Sequence, residues 1–380
     1  MNCFQFCIFE MVVNTFDLNM ILPISHKLEN SLLSQIYKNT VATYKFYWFI
    51  SILELFCIQN KKRINFWEII VQMVANAWYP IHYFRLSFGK SDSLYQEIIA
   101  LQKITKLPID ANKQEIHKVL INGLNNPQII KHLRIFRMNV PYRFLSPWIS
   151  YTNDQEVILR SQNFENNCPY SIEPIQGEKF VCINPQWEDY LKENCRILLD
   201  YSYWNLALFL QTRNPNVPDI PNKLIKQVER NALTKQRDFW NAVIDEIGPI
   251  NCIYTGKLLH KGDFDVDHFI PWSFVSHDQL WNLLPADSSI NSSKGNKLPD
   301  INLFLHQFTE KQHNAIKTIY RKNSNNQLLE DYQNLGGAVY DLVQMNDADF
   351  YSLYYKTMSP MIQIAENMGF EKWNFNPTIK

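Results

Sequence analysis

Five residues near the middle of the carboxy-terminal half carry groups suited to phosphate chemistry. Asp267 offers an anionic oxygen and Asn291 a neutral one, a pairing suited to Mg²⁺, which keeps several waters and also binds substrate phosphate oxygens. An imidazole such as that of His268 can be neutral near pH 7 and take a proton from water. Asn282 could fix the orientation of this imidazole, and Lys294, one helical turn after Asn291, could face the same phosphate. All five fall within 28 positions, so one small module could hold them.

The motif around these residues resembles the HNH endonuclease family, whose catalytic unit is a ββα-metal module. The resemblance covers residues 252–299, about one-eighth of the chain. It is carried by Cys-Ile-Tyr-Thr-Gly-Lys at 252–257, by Asp-Val-Asp-His at 265–268, and by asparagines 14 and 23 positions after His268. These details are most similar to the HNH module of RNA-guided type II CRISPR nucleases and to stand-alone prokaryotic HNH proteins. The chain has no room for the other CRISPR domains, so RNA-guided function is not implied.

The resemblance implies a role for each matching residue. His268 matches the general base, Asp267 and Asn291 match the metal ligands, and Asn282 matches the middle asparagine that supports the fold and the base. Lys294 is expected to steady the phosphate. The implied reaction is hydrolysis of DNA with Mg²⁺, for which Mn²⁺ can substitute, leaving 5′-phosphate and 3′-hydroxyl ends.

A plainer interpretation of the same residues stays open. Asp267 and His268 could form an ordinary hydrogen bond in a core, with Asn282 and Asn291 as turn residues, because asparagine is abundant in this chain. Asp265 alternates onto the same strand face as Asp267, so it could join the site or be solvated. The combined spacing favours the nuclease interpretation.

Composition limits the partners and the compartment. The 380 residues include 37 basic and 37 acidic side chains, which excludes an overall positive coat for DNA and requires any nucleic-acid surface to be local. Seven cysteines contain no Cys-x-x-Cys pair, so neither a structural zinc nor a disulfide framework is expected. The absence of a basic leader and of a long apolar run predicts a cytoplasmic protein without a membrane partner.

Two basic segments are candidates for binding DNA. The first interleaves cations with aromatic residues over positions 131–143, and the second lies just before the HNH-like segment. Solvated helix faces are the alternative interpretation of both. Their candidate residues are Lys131, Arg134, Arg137, Arg143, Lys223, Lys226 and Arg230.

Hydrophobic periodicity predicts an α+β protein. A mainly helical region covers 1–125 and a mixed region 126–247, followed by the small nuclease module at 248–310 and a helical tail at 311–380. Three early helices are expected: one capped by Asn39 and Thr40, one at about 65–78 ending before Pro80, and one opened by residues 91–93. In the module, β-like runs at 252–259 and 264–270 are expected to be joined by a turn.

The sequence therefore predicts a metal-dependent DNA endonuclease or nickase, by analogy in antiphage defence or a mobile element. Two alternatives stay open. One is an effector subunit that cleaves only with a partner protein such as an ATPase. The other is a nucleic-acid-binding or scaffold protein whose HNH fold has lost activity.

Overall fold

The amino-terminal part of the chain is built from helices around one small antiparallel sheet. The computed structural model describes residues 22–25, 28–226 and 232–375. The helices of this part are α1 (Tyr44–Leu53), α2 (Phe66–His82), α3 (Ser93–Thr105), α4 (Lys113–Asn122), α5 (Pro127–Arg134), α6 (Val140–Arg143), α7 (Asp154–Gln162), α8 (Glu188–Glu193) and α9 (Cys195–Arg213). The strands are β1 (Arg63–Asn65), β2 (Tyr170–Ile175) and β3 (Glu178–Ile183), in the order β1-β3-β2.

Side-chain caps explain where two of the predicted helices begin. Asp92 accepts from the Leu94 N–H at 2.9 Å and starts α3 where the sequence predicts it. Asn65 accepts from the Trp67 N–H at 2.8 Å and starts α2. The expected end of α2 is wrong, because Pro80 lies inside a helix that extends to His82. The predicted cap of α1 is also wrong, since that helix begins at Tyr44 after Thr43, well beyond Asn39 and Thr40.

Buried aromatic side chains unite this amino-terminal part in one hydrophobic core. Trp48 of α1 is fully buried and donates its indole N–H to the Tyr170 hydroxyl at 3.1 Å. Tyr170 in turn donates to the Pro141 carbonyl at 2.6 Å, which links β2 to α6. The core extends from Leu22 to Leu224 and also contains Trp272 from the later part of the chain. It therefore includes parts of both predicted regions, 1–125 and 126–247.

A second hydrophobic core covers the remainder of the described chain, from Phe239 to Trp373. Its helices are α10 (Thr234–Ile247), α11 (Trp272–Val275), α12 (Ser288–Lys294), α13 (Ile301–Lys322), α14 (Val339–Gln344) and α15 (Asp347–Asn367). Its strands are β4 (Ile250–Asn251), β5 (Leu258–Leu259), β6 (Asp265–His268) and β7 (Leu283–Ala286), paired as β4-β5 and β6-β7. The division of the chain into four regions stays a prediction. The two earlier regions share the first core, and the two later regions share the second core.

The α+β class is confirmed, and the two β-like runs of the HNH-like segment pair with other strands rather than with each other. The run at 252–259 does not pair with β6. Its end, β5, pairs with β4, and β6 pairs with the distant β7. Leu283 and Leu284 of β7 are completely buried, so this pairing places apolar surface in the core on both sides. No helix in the described part of the chain is long and apolar enough to cross a membrane.

Candidate active site

The β6-β7 pair positions the acid and the histidine of the predicted site. In the antiparallel register, Asp267 lies opposite Leu284 and His268 lies opposite Leu283. Successive side chains on a strand point to opposite faces, so the two functional groups leave β6 in different directions. The Asp267 side chain is directed into the protein and is only 4% exposed.

Asp267 is held by two buried donors. The Tyr254 hydroxyl donates to Oδ2 at 2.9 Å, and the Lys294 ammonium lies 3.1 Å from Oδ1 and 3.0 Å from Oδ2. Burial, and then the charge of Asp267, raise the pKa of Tyr254 well above its ordinary value, so this phenol stays protonated and donates. Tyr254 belongs to the conspicuous entry motif at 252–257, but no role was predicted for it.

Lys294 lies elsewhere than the sequence suggests. Its side chain is 1% exposed, and its ammonium donates both to Asp267 and to the backbone carbonyl of His268. The spacing correctly places Lys294 near the acid, but the side chain points inward rather than towards a phosphate in solvent. In this structure Lys294 therefore balances the buried charge of Asp267 and ties α12 to the end of β6.

His268 forms a dyad with an acid that sequence reasoning missed. Its Nε2 lies 2.9 Å from Oδ1 of Asp278, and the histidine side chain is 13% exposed. An ionised carboxylate only accepts, so Nε2 carries the hydrogen and Nδ1 of a neutral imidazole carries the lone pair that a base needs. Asp278 had one signal in the sequence: it is the only acid between β6 and β7.

Asn282 acts on the backbone rather than on the imidazole. It is completely buried, its Oδ1 accepts from the Ile270 N–H at 2.9 Å, and its Nδ2 donates to the Ile270 carbonyl at 2.9 Å. Its own carbonyl accepts from the Phe269 N–H at 2.8 Å. Asn282 thus fixes the chain immediately after His268, whereas the imidazole, whose orientation Asn282 was expected to fix, bonds to Asp278.

Helix α12 carries the second predicted ligand. Asp287 caps this helix by accepting from the Ser289 N–H at 3.0 Å, and it also pairs with Lys257 at 3.2 Å. Asn291 is half-buried and precedes Lys294 by three positions, so the two share a face of the helix. Since Lys294 reaches Asp267, the Asn291 face is the one directed at β6.

Asp265 belongs to a different environment. Its carboxylate lies 3.5 Å from the Arg237 guanidinium, and both side chains are 38% exposed. Arg237 also donates to the Phe264 carbonyl at 2.6 Å. The structure therefore gives Asp265 a partly solvated ion pair on the surface of the module, as the plainer interpretation had it.

Asp267 and Asn291 carry oxygen donors of the kind that a hard divalent cation binds, and both Asp267 oxygens already accept from Tyr254 or Lys294. Both offer oxygen ligands, and the Asp267 carboxylate already binds a positive group, the Lys294 ammonium. Within the described ranges there is no group of three or more His, Cys, Asp or Glu side chains that could enclose a metal. An ion here would complete its shell with water and substrate oxygens, a mode of binding that suits Mg²⁺ better than a soft metal.

Burial removes one residue of the second basic segment, Lys223, from the expected DNA surface. Lys223 is completely buried, donates to the Pro218 carbonyl, and has its pKa lowered to about 7 by burial, so it is not placed to meet a phosphate. Lys226 donates to the Asp110 carbonyl. Arg230 lies outside the described residues.

The basic residues of the first segment have different environments. Arg137 lies over the Trp67 ring at 4.3 Å and faces Glu178 at 3.5 Å, so its charge is already engaged. Lys131 and Arg134 are exposed at the end of α5, and their contact with DNA stays a prediction. Arg143 is also exposed, and its guanidinium lies over the ring of Tyr151.

Comparison with known proteins agrees with this geometry. Residues 252–300 match the family model described as HNH endonuclease. This segment is an HNH endonuclease domain, which implies nuclease activity, a nucleic-acid substrate and, as for HNH nucleases generally, a divalent metal. Searches of curated proteins and of solved structures find no match to the chain.

Proposed function

We propose that this protein is a Mg²⁺-dependent DNA endonuclease or nickase, with Mn²⁺ as a substitute ion. The observation that carries the proposal is the His268–Asp278 hydrogen bond at the end of β6, next to the buried Asp267 carboxylate. A base and an anionic ligand at adjacent positions of one strand, with Asn291 on the facing helix, supply the parts that phosphodiester hydrolysis requires.

Each residue has a distinct task in this proposal. His268 takes a proton from the attacking water through Nδ1, and Asp278 holds the ring by accepting from Nε2. Asp267 and Asn291 would hold the Mg²⁺ ion. When bound, such an ion polarises the phosphate and neutralises charge on the departing 3′ oxygen. Asn282 keeps the backbone after His268 in place, and so acts as a positioning residue.

Lys294 is proposed to position Asp267 rather than to contact DNA. Its ammonium offsets the free-energy cost of burying the Asp267 carboxylate, because an unpaired carboxylate in that environment would strongly destabilise the protein. The bond from Lys294 to the His268 carbonyl also couples the acid to the backbone of the base.

The biological setting that we propose is prokaryotic defence or a mobile element.

One surface favours a second candidate, in which a partner protein must activate the same nuclease. Ile197, Trp204 and Leu208 of α9 are each about half exposed. Large apolar side chains on one helix are typical of a protein–protein contact. Cleavage that requires a partner such as an ATPase is therefore the second candidate.

The test is cleavage of supercoiled plasmid with Mg²⁺, with Mn²⁺ and with EDTA. Wild type should nick or linearise the plasmid with either ion and not in EDTA. His268→Ala should be inactive, while His260→Ala, which removes an exposed histidine of the same domain, should cleave like wild type. Normal cleavage by His268→Ala would refute the assignment of the base. Cleavage only after an ATPase is added would favour the partner-gated candidate.

A further inference from the structure

An open and mainly apolar cavity, with a few polar and cationic side chains on its wall, lies at the surface of the amino-terminal part, outside the HNH domain. It encloses about 270 Å³ between the start of α1 and helix α6. Its lining includes Thr40, Lys45, Asn139, Arg143 and Tyr151. Two of these side chains are cations, and none is an acid.

Both cations contact neutral groups. Lys45 is half-buried, and its ammonium donates to the Ile36 carbonyl at 3.3 Å. The Arg143 guanidinium lies over the Tyr151 ring, 4.4 Å from its centre. In the part of the chain that the structure describes, neither forms an ion pair. The carboxylate on this side, Asp154, accepts from the Tyr151 hydroxyl at 3.0 Å instead.

Placing these cations together is unfavourable for the free protein. Burial, and then repulsion from Arg143, lower the pKa of Lys45. An anion bound between them would remove the repulsion, and the amide of Asn139 and the hydroxyl of Ser146 would add neutral hydrogen-bond donors. Lysine supplies a point charge and arginine a planar pair of donors, a combination suited to phosphate oxygens.

We propose that Lys45 and Arg143 bind a phosphate group in this cavity, contributed by a free nucleotide or by a nucleic-acid backbone. The proposal concerns a site separate from the HNH domain and does not depend on cleavage. In this proposal Arg143 shares its ligand with Lys45, which lies almost a hundred positions earlier in the sequence.

The experiment titrates the full chain, in EDTA, with three probes: dAMP, deoxyadenosine and a fluorescein-labelled 15-nucleotide single-stranded DNA. At least one phosphate-bearing probe should bind, and deoxyadenosine should not. Arg143→Gln and Lys45→Gln should each weaken binding roughly 10-fold or more, as expected for loss of a charge-assisted contact. Arg196→Gln is the control, since it removes an exposed arginine of α9 that pairs with Asp200.

The outcomes separate the two sources of phosphate. Binding of dAMP and its loss in both variants identifies a nucleotide site, and binding of DNA alone identifies a backbone contact. Binding that survives in Arg143→Gln and Lys45→Gln, or no binding of either phosphate probe by wild type, overturns the proposal. Lys45→Gln also removes the repulsion, so its thermal stability without ligand should equal or exceed that of wild type. A fall in that stability would contradict the electrostatic reasoning.

Discussion

Replacing Asp278 by alanine should slow DNA cleavage without disturbing the fold or the metal site. The change removes the acceptor that lies 2.9 Å from Nε2 of His268. A hydrogen bond to a charged group contributes about 1.5–3 kcal/mol. If that contribution is realised in the transition state, the rate should fall roughly 10- to 150-fold. The Asp278 backbone carbonyl, which accepts from Gln236, is retained in the variant.

Single-turnover nicking of supercoiled plasmid, with enzyme in excess over DNA, measures this step directly. Asp278→Asn is the matched variant, because its amide oxygen can still accept from Nε2 while the charge is lost; its rate should lie between those of Asp278→Ala and wild type. Asp263→Ala, an exposed acid of the same domain, controls for charge alone. The reasoning is refuted if Asp278→Ala cleaves at the wild-type rate, or if its loss is matched by weaker Mn²⁺ binding or a lower melting temperature.

Three further predictions concern stability. Lys294→Met leaves the buried carboxylate of Asp267 unpaired and should lower the free energy of unfolding by about 3–5 kcal/mol in urea denaturation, part of which added Mn²⁺ should restore; no loss would show that the pair is unimportant. Asn282→Ala leaves the N–H and C=O of Ile270 without their partner and should cost about 2–4 kcal/mol in the same assay, whereas a cost under about 0.5 kcal/mol would contradict the buried geometry. Lys223, whose pKa is lowered from 10.5 to about 7, is charged in the unfolded chain and largely neutral in the folded one above pH 7. Stability should therefore rise by about 2 kcal/mol between pH 7 and pH 9. Lys223→Met should remove that rise, and an unchanged pH dependence of the melting temperature would show that another group causes it.

The sequence predicted the parts of the site that depend on residue type and local spacing. Recognition of the HNH domain is confirmed by the family match, and its limits differ from the predicted 252–299 by one residue. Local signals also located the start of α3 at Asp92. These features are set by neighbours a few positions away, so one sequence is enough to show them.

Features that depend on distant packing were not predictable in the same way. Spacing placed Lys294 near the phosphate chemistry, but only the packing of α12 on β6 shows that its ammonium turns inward to Asp267. The burial of Lys223 likewise depends on packing against a residue that is distant in sequence. Its ammonium lies 5.6 Å from the centre of the Phe84 ring. The pairing of β6 with β7 joins two strands that are separated by a loop of the chain, so local spacing does not show it. Asp278 lies in that loop.

The central claim is that Asp267 and Asn291 hold a divalent ion beside an independent base, His268. Titration of the metal-free protein with Mn²⁺ by isothermal calorimetry tests it most directly. Wild type and His268→Ala should bind one ion with similar affinity, although only wild type cleaves DNA. Asn291→Ala should bind roughly 10-fold or more weakly, and Asn302→Ala, an exposed asparagine in the first turn of α13, should bind like wild type. Undiminished Mn²⁺ binding by Asn291→Ala would contradict the proposed metal site.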